Sequence, residues 1–584
     1  MPIRLAMAHR YACLGAIALM LTLPFLLPHH NNPIPTFFQE WAAAILGLAA
    51  LTWLLRDGEK TPLELPEVAL LPVGLLLLAV LQGVFQADAL TDRLLMFALY
   101  LIWAILLAVL GRRLAQDIGL PRLADVMATA VLVGALLEAL TGAVQLAGLA
   151  RLPWVFPHFG GGLRGNLAQT NNFADYLWLG VVSLVYLRSR NWLGNVSAAG
   201  ALLIIAPLAV LSASRSVWFY GVALPVLAIL WAGRSALPGG AALRRWSLLA
   251  LAATLLFQGA FSSGLVPLPD STVTAGGRIA DAGSYDPVRF TLWRTAFLIF
   301  SDNPWLGAGF GQYTRHFLEH VLDLMPRRLP GLPENAHNML LNLLAEMGIG
   351  AGLLLVVFAA RWLLGVWRQP RTEAGWWVLA MVLVLAIHAN LEYPLWYAFF
   401  LGPAALLAGA ASPRNRLLRL GPRAPLAIGA FLVLGSLALV TLYQDYSLLE
   451  DTLHGRLARN PAEARSRTAA ALQQLAGESL LRPYVDLTAA NLMDESAEGL
   501  GVKLETCERA QRFSASREIV FKCAYLLALA GQDDAASLAL RRAVAAYPDR
   551  AELIVAQWRR RGADEPILAR LAANFPPIVP PPAR

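Results

Sequence analysis

Charged side chains are scarce in this chain: Asp, Glu, Lys and Arg account for 15% of its 584 residues, against 57% hydrophobic ones. Soluble domains carry roughly 25% charged and 45–50% apolar residues, so this composition does not fit a water-soluble globule. Cysteine is scarcer still, at three residues, and neither a Cys-x-x-Cys pair nor a Cys/His spacing is present to build a zinc site. Cys13 lies in the first apolar run. Cys507 and Cys523 lie in the C-terminal tail, and a periplasmic tail would let them bond between neighbouring helices; whether they do, the sequence leaves open. A small-x-small cleavage site is missing after the first apolar run, Tyr11 to Pro28, which follows Arg4 and Arg10. With further apolar runs coming at once, it reads as a retained span and not as a signal peptide. The net charge of +8 is scattered through short loops and forms no basic stripe with interleaved aromatics, which argues against a nucleic-acid partner.

What is present is a series of apolar runs, each long enough to cross a hydrocarbon core of roughly 30 Å. About thirteen can be marked, near residues 11–28, 37–55, 67–86, 93–111, 123–148, 172–187, 197–213, 216–233, 246–265, 338–360, 375–391, 395–412 and 425–443. With the N terminus in the cytoplasm, Arg56/Lys60, Arg112/Arg113, Arg188/Arg190, Arg234/Arg244/Arg245, Arg361/Arg368/Arg371 and Arg414/Arg416/Arg419/Arg423 all fall in cytoplasmic loops, as positive-inside bias requires. The outer loops are then nearly free of Arg and Lys, except for Arg151, Arg164, Arg215 and a set in one long segment from about Pro267 to Ala336. An arginine held on the outer side against the bias needs a reason of its own.

The expected architecture is therefore all-α: a polytopic bundle of about 13 transmembrane helices over residues 1–443, with a long outer loop at about 266–337. A second region, residues 444–584, is Ala-, Leu- and Arg-rich, has helical periodicity and contains no membrane run. Its stretch from Cys523 through a Gly531-Gln532-Asp533 turn to Pro548 reads as two helices resembling a tetratricopeptide unit, on which the helices from Asp445 to Phe513 would stack. A helical cap without a partner is the plainer alternative. The end, from Phe575, is Pro-rich and reads as a disordered or polyproline tail.

The strongest local signal is Glu334-Asn-Ala-His337-Asn338-Met-Leu-Leu-Asn342-Leu-Leu-Ala-Glu346-Met-Gly348-Ile-Gly350. Asn338, Asn342, Glu346 and Gly350 recur every four residues, which on a helix makes one face, and polar groups on a membrane helix face the bundle interior or a wet cavity. His337 stands at the outer mouth of that face, where a neutral imidazole with an ordinary pKa of about 6.5 suits a general base. An interfacial histidine bonded to the loop is the alternative. Glu346 lies roughly 13 Å deeper along the axis and reads as a structural partner for other helices.

Further signals gather on the same side. The turn Leu211-Ser-Ala-Ser214-Arg215-Ser216 offers a fixed guanidinium suited to a phosphate, or a snorkelling anchor. Arg289, and behind it Arg294, opens a segment that continues to Asn303-Pro304-Trp-Leu-Gly307-Ala-Gly309-Phe-Gly311. No Lys follows those glycines as in a Walker loop, so they read as sites of close packing and tight turning. His316-Phe-Leu-Glu319-His320 matches the inverted zinc-peptidase pattern, but no third ligand is evident and an amphipathic surface helix explains it. Arg164-Gly-Asn166-Leu-Ala-Gln169-Thr-Asn171-Asn172 and His388-Ala-Asn-Leu-Glu392-Tyr393-Pro394 complete the set; they can bond sugars or phosphate, or simply cap helices and fix loops.

Together these pieces resemble the O-antigen ligase and polymerase superfamily and, within it, the bacterial protein O-oligosaccharyltransferases, the pilin glycosylation ligases. The His337-Asn338 stretch through Gly350 looks like the signature around the essential histidine, Ser214-Arg215 like the phosphate-binding turn, and 289–311 like the long periplasmic loop. Arg164 to Asn172 and Glu392 to Tyr397 are most similar to the protein-glycosylating branch, although Thr170 stands where proline is common. The likeness covers about residues 150–412; the first five spans and the tail match only in kind.

The resemblance implies a bacterial inner-membrane enzyme with a periplasmic tail, a donor glycan linked to undecaprenyl pyrophosphate, and no cofactor, metal or nucleotide sugar. It implies Ser or Thr hydroxyls of a pilin or other periplasmic protein as acceptor. His337 would deprotonate that hydroxyl, and Arg215 and Arg289 would hold the pyrophosphate. Arg164, Gln169, Asn171, Asn338, Glu392 and Tyr393 would contact glycan or acceptor, or support the site. The nearest rival is a ligase acting on lipid A core, then a glycan polymerase. A transporter or flippase would place its polar groups at mid-membrane in broken helices, whereas these gather at one face.

Overall fold

The computed structural model of the protein describes residues 2–56, 63–86, 89–149, 151–233, 237–269, 271–280, 287–324, 332–418, 423–457, 461–561 and 566–573. The main helices before the tail are α1 (Pro2–Met20), α2 (Phe37–Leu51), α3 (Leu70–Phe85), α4 (Thr91–Ile118), α5 (Leu120–Leu146), α6 (Thr170–Ser189), α7 (Asn195–Leu211), α8 (Ser216–Ala232) and α9 (Gly240–Ser262). They continue with α10 (Pro287–Asp302), α11 (Tyr313–Leu324), α12 (Met339–Arg368), α13 (Glu373–Ala389), α14 (Ala398–Ala410) and α15 (Ala424–Leu453). The tail adds α16 (Pro461–Glu478), α17 (Arg482–Leu492), α18 (Leu500–Phe513), α19 (Arg517–Leu529), α20 (Asp533–Ala546), α21 (Pro548–Arg561) and α22 (Pro566–Ala573). Strand is confined, among the described residues, to one short antiparallel pair, Glu64–Pro66 with Asn415–Leu417.

Each apolar run marked in the sequence is occupied by a helix. Among the described residues, eight helical segments are long and apolar enough to cross a membrane, and four more, α7, α8, α13 and α14, are apolar but no longer than 17 residues. Over the remaining run, α6 carries Asp175 and Arg188 within its 20 residues. The protein is thus a multi-pass helical membrane protein. Within residues 266–337 the described residues include α10 and α11, joined by the glycine turn. In the tail, the helix-turn-helix around Gly531 is present and its second helix ends at Ala546, just before Pro548, which occupies the first position of α21, where its missing N–H costs nothing. The Pro-rich end beyond 573 lies outside the described residues.

The chain divides into two compact units. The first comprises 1–75, 99–285 and 354–441. Its core is built from fully buried aromatics, including Trp178, Trp231, Trp376, Trp377, Tyr176 and Phe173. Lipid is as apolar as these side chains, so close packing must hold the helices together. The crossing of α4 and α14 shows how: a Cβ on Gly111 would fall 2.0 Å from the Leu406 carbonyl oxygen, and one on Gly409 2.0 Å from that of Ala108.

The second unit comprises 76–98, 286–353 and 442–584. It unites α10, α11, the first half of α12 and the whole tail. The end of α20 joins the apolar cluster of α10 and α11: Ala546 is buried with Leu292, Ile299, Tyr313, Phe317 and Val321. Within the tail a Cys507–Cys523 disulfide joins α18 to α19 across 16 residues. A closed loop of that size restricts the unfolded chain by about 3 kcal/mol. Replacing both cysteines by Ala is expected to raise hydrogen exchange throughout α18 and α19 while leaving α5 and α6 unchanged, as measured by mass spectrometry.

Candidate functional site

In the second unit the site is organised by a break in α12. Gly348 adopts φ 74° and ψ −172°, interrupting the helix, so the four-residue register expected through Gly350 ends at Glu346. Peptide groups exposed by such a break must be paired elsewhere. The turn after α10 supplies the partners: Ala308 N donates to Ala345 O (2.9 Å), Gly309 N to Glu346 O (3.1 Å), and Ile349 N to Pro304 O (2.8 Å). Gln82 of α3 completes the set, donating to the carbonyls of Leu306 and Glu346 at 2.6 Å each. Gln86 donates to Gly307 O at 2.7 Å.

Gly307, Gly309 and Gly311 all have positive φ, and a Cβ on Gly307 would lie 2.3 Å from the Glu346 carbonyl carbon. The glycines therefore serve the close packing and tight turning expected of them. Arg93 of α4 closes this region, donating to Gly311 O with its guanidinium 4.5 Å from the Phe513 ring of the tail.

Glu346 acts as a hub. One carboxylate oxygen accepts from Tyr313 N (3.2 Å), which starts α11, and the other from Asn342 Nδ2 (3.1 Å). Asn342 Oδ1 in turn accepts from Ala336 N at 3.0 Å. The next residue, His337, is half-buried and held at φ 48°, a left-handed conformation uncommon outside glycine. Asn335 Oδ1 accepts its N–H at 2.9 Å. Asn338 then caps α12, its Oδ1 accepting from Leu341 N at 3.1 Å. Asn338 is thus a cap and Asn342 a clamp on the backbone that presents His337.

The approach to His337 is braced from the tail. Leu332 N donates to Tyr547 Oη (3.4 Å), and Tyr547 Oη donates to Ala515 O (2.7 Å). Burial pushes this phenol up to about 12, so it remains a donor at any physiological pH. Thr314 Oγ1 donates to Pro333 O at 3.1 Å. Arg289 sits in the first turn of α10, in the same unit. On α11, His316 Nδ1 contacts Glu319 (2.9 Å) and His320 Nε2 contacts Asp302 (3.0 Å). The hydrogen bond from His316 holds the Glu319 carboxyl below its usual range. The His-x-x-Glu-His residues thus engage carboxylates along an amphipathic helix.

The other candidates belong to the first unit. The loop before α6 is fixed by buried groups: Gln145 Nε2 donates to Phe156 O and Gly165 O, and Asn166 Nδ2 to Leu26 O and Trp154 O. Gln169 caps α6, accepting from Asn172 N. Asn166 and Gln169 are therefore occupied in loop fixation and capping. The Arg164 Nε is buried without a hydrogen-bond partner among the described residues, and burial followed by the Arg164 charge pushes the His158 imidazole below its usual pKa. Arg215 stands between two buried serines, Ser214 and Ser216. Asn171 joins Ser214 to Glu392: Ser214 Oγ donates to Asn171 Oδ1 (2.6 Å), and Asn171 Nδ2 donates to Glu392 Oε1 (2.7 Å). The Tyr393 ring lies 5.5 Å from that of Tyr397.

Arg278, which the sequence did not distinguish from its neighbours, donates to Ala213 O at 3.4 Å, two residues from Arg215. Gln82, Arg93 and Tyr547 were likewise missed, since each meets its partner across more than 200 residues of sequence.

Two family models match this chain. One described as O-Antigen ligase covers residues 176–357, and one described as Virulence factor membrane-bound polymerase, C-terminal, covers 376–560. The first includes Arg215, Arg289 and His337. Residues 176–357 thus carry a domain of the O-antigen ligase superfamily. It is 27% identical over 463 residues to a general O-oligosaccharyltransferase of Acinetobacter baylyi, spanning 78% of this chain and 79% of the relative. It is also 25% identical over 267 residues to a ComP-specific O-oligosaccharyltransferase of that organism, spanning 44% and 45%. Within the superfamily the protein is an oligosaccharyltransferase, and so a glycosyltransferase.

Two consequences of the geometry are measurable. Gly307→Ala should destabilise the protein by about 2 kcal/mol or more, because the new Cβ meets backbone at a positive φ, and thermal unfolding will show it. Tyr547→Phe removes one buried hydroxyl, worth about 1 kcal/mol. It should speed hydrogen exchange over 332–338 with little change in the melting temperature.

Proposed function

We propose that this enzyme transfers an oligosaccharide en bloc from undecaprenyl pyrophosphate to Ser or Thr hydroxyls of pilin-like or other periplasmic proteins. His337 takes the proton of the acceptor hydroxyl, whose oxygen bonds to the anomeric carbon. The bond from that carbon to the pyrophosphate oxygen breaks, and undecaprenyl pyrophosphate leaves with the electron pair. Arg215 and Arg289 offset the charge that develops on it. A single displacement inverts the anomeric centre. The observation that supports this best is the backbone at His337: a non-glycine residue in a costly conformation, with its own amide and the one before it held by asparagine side chains, is the kind of stored strain that accompanies function.

The reading has all thirteen helices crossing the inner membrane, the N terminus in the cytoplasm and residues 444–584 in the periplasm as a helical-repeat domain. Basic residues cluster in the loops assigned to the cytoplasm, and a disulfide in the tail suits an oxidising compartment. Transfer to lipid A core is the second reading, favoured by the match to the O-Antigen ligase model.

The test supplies purified protein with a polyprenyl-pyrophosphate glycan and either a pilin-like protein or lipid A core. Transfer to the pilin is expected, with His337→Asn reducing it by about 100-fold or more while retaining the fold, since asparagine tolerates left-handed φ. Transfer to lipid A core alone selects the second reading, and full activity in His337→Asn removes the histidine from the mechanism.

A further inference from the structure

Three helical columns of the first unit carry polar side chains at matching intervals. Asn171 and Asp175 lie on α6, Ser216 and Tyr220 on α8, and His388 and Glu392 at the end of α13 and just beyond it. Residues four apart stand one above the other on a helix, so the matched intervals form a ladder of two rungs.

The first rung runs from Glu392 through Asn171 to Ser214, and Ser214 shares a 2.6 Å hydrogen bond with Ser216. The second lies one turn further along. Tyr220 Oη donates to Asp175 Oδ1 at 3.2 Å, and His388 Nδ1 lies 3.3 Å from the same oxygen. Glu392 N donates to His388 O at 2.7 Å, tying the rungs together at α13. Asp175, His388 and Ser214 have no exposed surface.

Polar groups buried in an apolar bundle are expensive, and helices can be joined without them, as glycine contacts join α4 to α14. The ladder achieves something that apolar packing does not: it fixes both neighbours of Arg215. Asn171 is suited to the centre of the first rung because one amide donates to Glu392 and accepts from Ser214, which a carboxylate cannot do.

We propose that Asn171 is a positioning residue for Arg215. By clamping Ser214 against Glu392, it sets the 214–216 turn so that the arginine presents its guanidinium to the diphosphate of the lipid-linked donor. The second rung fixes the spacing of α6, α8 and α13 beneath that turn. This inference rests on the reading of Arg215 as a donor ligand.

Asn171→Asp sets a second carboxylate against Glu392 and removes the donor between them. Transfer is measured with the polyprenyl-pyrophosphate glycan at varied concentration. The donor KM should rise about tenfold, with the acceptor KM and the yield of monodisperse protein unchanged. Adding Glu392→Gln should restore the donor KM, because the new amide at 392 donates to the new carboxylate at 171. If Asn171→Asp does not fold, Ser214→Ala breaks the same rung more gently and should also raise the donor KM.

Arg215→Ala runs in parallel. If it leaves the donor KM unchanged, the reading of Arg215 fails, whatever the ladder does. If it raises the donor KM while the ladder variants change only protein yield, or the double variant shows no recovery, the positioning role is overturned and the ladder is scaffold alone.

Discussion

A membrane helix that breaks must find partners for its exposed peptide groups within the protein, because hydrocarbon offers none. The break at Gly348 in α12 imposes that demand, and much of the second unit follows from it. An unpaired buried amide costs roughly 2–7 kcal/mol, more than the roughly 1–3 kcal/mol of holding a residue in a sparsely populated conformation. The turn from Pro304 to Gly311 is therefore shaped to fit the break and not the reverse. Its fit requires glycine at 307 and draws Gln82 of α3, and Gln86 just beyond its end, into the same network. Once that turn is fixed, Tyr313 N is set over Glu346, Glu346 holds Asn342, and Asn342 holds Ala336. The conformation of His337 is the last link of a chain that begins at a glycine eleven residues further on.

The tail is part of this arrangement. Its α20 ends in the apolar cluster that also holds Ala336, and its Tyr547 bonds the segment leading to His337. The match to the polymerase-type family model runs unbroken from α13 through α21, so similarity extends across the membrane helices and the tail as one stretch. The end of α20 is buried against the segment carrying the candidate base, so the tail and that segment pack as one body.

The sequence disclosed the multi-pass helical character and the positions of the apolar helices, because hydrocarbon thickness and charge bias act on composition over 20-residue windows. It also disclosed the glycine turn and the structural character of Glu346, since φ demands and buried carboxylates restrict residue type locally. The break at Gly348 was hidden because the repeat Asn338, Asn342, Glu346, Gly350 continues through it at perfect helical spacing. Only the inserted turn, remote in sequence, reveals the interruption. Helix α11 showed only as an amphipathic stretch around residues 316–320, and its burial against α10 and the tail was hidden because it depends on residues remote in sequence. Arg278 and Tyr547 carry no local pattern at all. The Asn171–Glu392 bond joins two segments that were each noticed, but periodicity within a segment says nothing about pairing between segments.

Two different physical devices hold the proposed catalytic groups. His337 is fixed through its own backbone by clamps on the adjoining amides, so its orientation is set before any substrate arrives. Arg215 is fixed through its neighbours, Ser214 and Ser216, whose hydroxyls are tied into the rung that runs through Asn171 to Glu392. That difference suits the proposed chemistry. A general base must meet one hydroxyl at hydrogen-bond distance, where a displacement of 1 Å is costly. A guanidinium that offsets charge on a leaving diphosphate has to follow the phosphate as the glycosyl bond lengthens, and its electrostatic benefit falls slowly with distance. A rigid anchor beneath the cation meets that requirement by keeping the turn itself from moving. The polar groups that are expensive to bury lie where they hold that turn.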